Sequence, residues 1–143
     1  MKNELFLKII LCSLAITFIL LSAYFLTPLS SSVKRTFFPL AAVLGLIFLI
    51  LGVVLTLISR KEKGRLRKFL ILTGVSAIAP FAFAVLHNIF YGLAIAFEGF
   101  KCLFQALHIV SFIISIIIAP VVFVVGLSGS VIFFKQTSQR LPL

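Results

Sequence analysis

Residues 69 to 97 read F-L-I-L-T-G-V-S-A-I-A-P-F-A-F-A-V-L-H-N-I-F-Y-G-L-A-I-A-F, 29 positions without one charged side chain. An α-helix needs roughly 20 apolar residues to cross about 30 Å of hydrocarbon, so the run is long enough to span a bilayer. Only helices and closed barrels cross lipid with every backbone group paired, and a barrel strand would alternate where this run is continuous. The stretch predicts a transmembrane helix.

Three further charge-free runs surround it, at 9 to 33, 36 to 59 and 102 to 134. Together they predict an all-α integral membrane four-helix bundle, a single domain with spans at about 6 to 27, 37 to 58, 69 to 97 and 104 to 134. With 62% hydrophobic residues and 17 Phe in 143 positions, a water-soluble fold would expose large apolar patches, so lipid belongs to the fold. Lys2 and Lys8 before the first run imitate a signal peptide. The apolar stretch nevertheless continues to Leu26 without a clean small-residue cleavage pattern, which predicts a retained span.

A formal charge of +10 raises nucleic acid as a partner, and the positions of the charges decide against it. Six of 13 cations, Arg60, Lys61, Lys63, Arg65, Arg67 and Lys68, fall between the second and third spans, with no aromatic residue among them. By the positive-inside rule this connection faces the cytoplasm, and four spans return both termini to the same side. Lys2, Lys8, Lys135 and Arg140 raise the cytoplasmic count to ten, against Lys34, Arg35 and Lys101 outside. The expectation is a multi-pass protein of the cell (cytoplasmic) membrane, its basic connection a solvated topology signal or a site for anionic lipid head groups.

Cys12 and Cys102 belong to opposite ends of their spans, so an intrachain disulfide is excluded by distance. No C-x-x-C occurs, which argues against thiol oxidoreductase chemistry.

The first two spans read as plain packing and lipid-facing helices, with Ala42, Gly45 and Gly52 available for close approach. The third and fourth differ. At about 100° per residue, Thr73, Ser76, Pro80, Ala84, His87, Tyr91 and Glu98 share one helical face of about 80°. His108, Ser111, Ser115, Ala119 and Gly126 share another on the fourth span. Lipid offers such stripes no partners, so they are expected to face each other or a cavity. In an antiparallel hairpin, facing residues have a constant position sum, and His87 with His108, Ala84 with Ser111, Pro80 with Ser115 and Ser76 with Ala119 all give 195. Pro80 and Pro120 can kink the helices and shift the phase beyond them. They also head a shared A-P-x-x-F-x-V pattern, at Ala79 and at Ala119, on helices that run in opposite directions.

Absences prune the chemistry. There is no Asp, and the acids are Glu4, Glu62 and Glu98, none deep in a span. No H-E-x-x-H, G-x-S-x-G or phosphate-binding glycine loop occurs, so any catalytic reading starts from the two histidines, and the balance leans against an enzyme. The candidate polar interhelical site is His87, Asn88, Tyr91, His108, Ser111 and Ser115, with Glu98 at the outer mouth. Its bland reading is a hydrogen-bonded clasp without cofactor. The sharper ones are a haem b anchor or transition-metal site on His87 and His108, and a proton relay through Tyr91 toward Glu98.

T-G-x-S-A at Thr73 to Ala77, L-H-N-x-F-Y at Leu86 to Tyr91 and P-x-x-F-x-x-G-x-x-G at Pro120 to Gly129 resemble small four-span prokaryotic membrane proteins of uncharacterised activity. The resemblance implies the same topology and carries over no catalytic residue. The expected function is a non-enzymatic membrane subunit, acting as a homo-oligomer or with a membrane-complex partner. A haem- or metal-binding anchor and an oligomeric transporter or channel stand as alternatives.

Overall fold

A computed structural model describes residues 2–139 as helices and short connections, with no strand among them. Helices α1 (Lys2–Leu26), α2 (Ser31–Ser59) and α3 (Gly64–Ala96) are followed by a 3-10 turn at Glu98–Phe100. Then come α4 (Lys101–Ile113), a π-helical segment (Ile114–Ile118) and α5 (Ala119–Gln139), which run on as one stretch. Four stretches, Glu4–Leu26, Ser31–Ser59, Gly64–Ala96 and Glu98–Gln136, are long and apolar enough to cross a membrane. Arg140, counted among the cytoplasmic cations, lies outside the described residues.

The helices reach past the charge-free runs. Helix α3 begins at Gly64, so Arg65, Arg67 and Lys68 belong to its opening turns and residues 60 to 63 make the whole connection. The chain enters α3 through Gly64 at φ +70°, a left-handed conformation that glycine adopts without the steric cost of a Cβ. Long cationic side chains extend to water while their backbone stays helical, which is why charge marks the membrane boundary and not the helix boundary.

Helix α3 is central, packing against α2, α4 and α5, while α1 rests on α2. Small residues permit this crowding. A Cβ on Gly74 would sit 2.8 Å from the Gly52 carbonyl oxygen of α2 and run into the Thr56 hydroxyl. On the α5 side, a Cβ on Gly126 would sit 2.9 Å from the Thr73 backbone nitrogen.

The core lies toward the end of the bundle that carries the basic connection. Leu14 of α1, Leu55 of α2 and Leu70 of α3 are fully buried there, joined by Leu7, Phe48 and Phe123. The Phe123 ring packs 4.7 Å from that of Phe18 and 5.1 Å from that of Phe48. Helix α1 therefore does more than face lipid: Leu7, Ile10, Leu11 and Leu14 are core residues. Its sequence hides this because it is apolar all round, and lipid and core reward the same residue types.

The predicted register holds in the half of the α3–α4 hairpin nearer its connection and then changes. His87 meets His108 and Pro80 meets Ser115, each pair summing to 195, whereas Thr73 meets Gly126, which gives 199. The change falls at Pro80 and at the π segment ahead of Pro120. Proline supplies no N–H and crowds the carbonyl four residues before it. The turn before Pro120 widens instead, and the Ala119 N–H bonds the Ile114 carbonyl five residues back.

Candidate functional site

The constant position sum puts His87 and His108 at one depth, and the geometry there is reciprocal. The Nδ1–H of His87 donates to the His108 carbonyl at 3.1 Å, and the Nδ1–H of His108 donates to the His87 carbonyl at 3.0 Å. The rings stack with centroids 3.8 Å apart and planes 22° from parallel. Phe112 flanks His87 and Tyr91 flanks His108, each at 5.4 Å, so the pair is the middle of a four-ring column. Because a carbonyl only accepts, both imidazoles carry hydrogen on Nδ1. In the neutral rings this leaves each Nε2 as a lone pair.

Deeper in the hairpin, the Ser115 hydroxyl donates to the Pro80 carbonyl at 2.9 Å, and Ser111 is buried one turn before it. Beyond the register change, the hydroxyls of Thr73 and Ser130 meet at 3.2 Å, with Ser130 also donating to the Gly126 carbonyl. Thr73 and Ser130 are both fully buried. The polar stripes thus meet along most of the hairpin.

Asn88 is not part of this contact. Its amide donates to the Ala84 carbonyl of its own helix at 2.8 Å, and the side chain is exposed. Neighbouring positions on a helix diverge by about 100°, so His87 and Asn88 cannot both face α4. Tyr91 keeps one ring face on His108 and is otherwise 57% exposed.

At the end of the hairpin away from the basic connection lies a partly open groove of about 200 Å³ lined by Tyr91, Ala94, Ile95, Glu98, Lys101, Gln105 and His108. Tyr91, His108 and Glu98, the residues of the relay reading, thus share one groove. Lys101, Gln105, Phe112 and Ser130 are additional members that sequence reasoning did not single out. Lys101, Phe112 and Ser130 lie within about 40° of His108 by the same helical arithmetic, which was the available signal.

The six cations of the basic segment are all exposed. Three of them, Arg65, Arg67 and Lys68, lie at the N-terminus of α3, where positive charge opposes the helix dipole. Cys12 and Cys102 are free thiols on different helices.

The site fits haem poorly. Two axial imidazoles stand on opposite faces of a macrocycle, whereas these rings are already in face contact. For a metal ion, the described residues contain no group of three or more His, Cys, Asp or Glu that could hold one. Two Nε2 lone pairs alone fall short of the four-ligand set a tightly held zinc takes. What the arrangement does well is fasten α3 to α4, and the described residues contain no fully buried side-chain polar atom without a partner. Comparison of the chain with protein-family models, with curated proteins and with solved structures finds no match.

Proposed function

We propose that this chain is a non-enzymatic integral protein of the cytoplasmic membrane, with both termini inside, that works as a membrane subunit assembled with copies of itself or with a larger complex. The reciprocal histidine clasp carries the reading. A catalytic imidazole acts on a nucleophile or substrate proton through its free nitrogen, whereas neither Nε2 here has a hydrogen-bonded nucleophile among the described residues, and both Nδ1–H groups tie the stacked rings to backbone carbonyls. The strongest candidates for chemistry serve as a fastener.

Asn88 supports assembly. Its amide makes one hydrogen bond, to its own helix, and projects from a span among the exposed small residues Ala84, Gly92 and Ala96. An amide facing hydrocarbon is costly, and small residues four apart allow a second helix to approach. The six exposed cations between Arg60 and Lys68 support the orientation. Helix stability does not explain those at the start of α3, while an anionic leaflet gains about 1 kcal/mol from each.

Crosslinking in membranes tests the assembly. The wild-type chain is expected to give dimers or larger species, and Asn88→Leu to lose them without a change in monomer melting. Recovery of monomers alone from the wild type overturns it. A purified protein with a Soret band or stoichiometric metal would favour the anchor reading instead. A transporter or channel would need several copies around a shared pathway, because the groove within one chain ends on His108.

A further inference from the structure

We propose that the cavity between the outer ends of α3 and α4 is a binding site for a phosphoethanolamine group, with Lys101 holding the phosphate and Glu98 the ammonium. The inference rests on the membrane reading alone and not on assembly or on the histidine clasp.

Size comes first. At about 200 Å³ the cavity is smaller than the roughly 300 to 1,000 Å³ of sites that enclose a cofactor or drug-sized molecule, and it suits a head group or a small zwitterion. Depth comes second. From Lys101 to His108 is seven residues, or about 10 Å along the helix, so the cavity runs from the end of the hairpin into the head-group layer and ends on rings inside the span.

Charge decides the class. Glu98 and Lys101 both line the cavity, and neither has an ion-pair partner among the described residues. A plain anion would meet the Glu98 carboxylate, and a plain cation would meet the Lys101 ammonium. A zwitterion satisfies both. Gln105, one helical turn deeper than Lys101, adds an amide that can donate to phosphate oxygen or accept from ammonium. A primary ammonium is favoured over choline because Glu98 and Gln105 reward N–H donors, and Tyr91 with His108 provide too few rings for an aromatic cage. Ile95 on the cavity wall is apolar and 67% exposed, which offers acyl chains a way out into lipid.

Native mass spectrometry of the full chain from detergent, with phosphatidylethanolamine, phosphatidylcholine and phosphatidylglycerol added in turn, tests the site. Retention of phosphatidylethanolamine is expected to exceed that of the other two by about threefold or more, the scale of one or two partly screened ion pairs. Glu98→Gln should bring it down to the phosphatidylglycerol level, and Lys101→Met should lower retention of all three. Arg65→Gln with Lys68→Gln, at the other end of α3, should leave the phosphatidylethanolamine preference unchanged. Competition by soluble O-phosphoethanolamine shows that the head group alone is read. Its failure to compete shows that the acyl chains are needed, and the lipid is then the ligand. Equal retention of the three lipids, or a preference that survives Glu98→Gln in protein that melts like the wild type, overturns the proposal.

Discussion

His87 and His108 each donate Nδ1–H to the other's backbone carbonyl while their rings stack 3.8 Å apart, so neither imidazole can rotate without breaking its own bond and the stack that holds its partner. The two hydrogen bonds end on backbone carbonyls, and the ring stack is the part that both imidazoles share.

His87→Ala or His108→Ala is expected to lower stability in detergent by about 1 to 2 kcal/mol, the range of polar contacts between membrane helices. Each single variant removes one hydrogen bond and the ring stack but leaves the backbone carbonyl that the other imidazole uses, so the double variant should cost more than either single one and less than their sum, the shortfall being the shared stack. Thermal melts of the three proteins give the coupling directly. Unchanged melting in both single variants would remove the clasp from the account.

Two glycines should respond to Ala for different reasons. In Gly74→Ala the new methyl meets the Gly52 carbonyl and the Thr56 hydroxyl across the α2–α3 contact, and overpacking of this kind costs about 1 to 3 kcal/mol. In Gly64→Ala nothing lies within 4 Å, but the +70° φ does not suit an L side chain and costs about 1 to 2 kcal/mol. Helical content should survive in both, with lower melting temperatures. A neutral Gly74→Ala would mean that α2 and α3 are not in close contact.

The native cysteines report the orientation. Cys102 is exposed one residue into α4, at the end opposite the basic connection, whereas Cys12 is exposed within the apolar run of α1. A membrane-impermeant maleimide added to intact cells is expected to label Cys102 and to leave the Cys102→Ser variant unlabelled, because a water-borne, impermeant reagent does not reach a thiol within the apolar run of α1. Labelling only in inverted vesicles would reverse the assigned topology.

Replacing Arg65, Arg67 and Lys68 together by Gln should separate lipid attraction from helix stability. In anionic nanodiscs the protein is expected to lose about 1 kcal/mol of lipid-dependent stabilisation per residue. In zwitterionic nanodiscs its melting should hold or rise slightly, since three cations no longer oppose the α3 dipole. An equal loss in both lipids would make the cations structural.

Much of the hairpin is legible in the sequence. The pairs His87 with His108 and Pro80 with Ser115 follow from helical phase and a constant position sum, both properties of regular helices. The same arithmetic fails past Pro80 and Pro120, because the π turn at Ile114–Ile118 changes the phase by an amount that regular helical period does not contain. It therefore misses the Thr73–Ser130 contact. Asn88 shows a different limit. It lies next to His87 in sequence and in composition belongs with the polar site, yet a step of about 100° turns it away from α4.

The sequence by itself determined four helices long and apolar enough to cross a membrane, the asymmetry of charge and the facing of His87 and His108, because each is a one-dimensional property of apolar length, charge position or helical period. Only the tertiary structure decided that α1 supplies Leu7 and Leu14 to the core, that the imidazoles fasten each other through backbone carbonyls, and that Glu98, Lys101 and Gln105 border one cavity. The physical reason is the same in each case. Where a helix is apolar on every face, as α1 is, hydrophobicity does not distinguish lipid from core, and the choice falls to shape: where glycine admits a neighbouring backbone and where a helical turn widens.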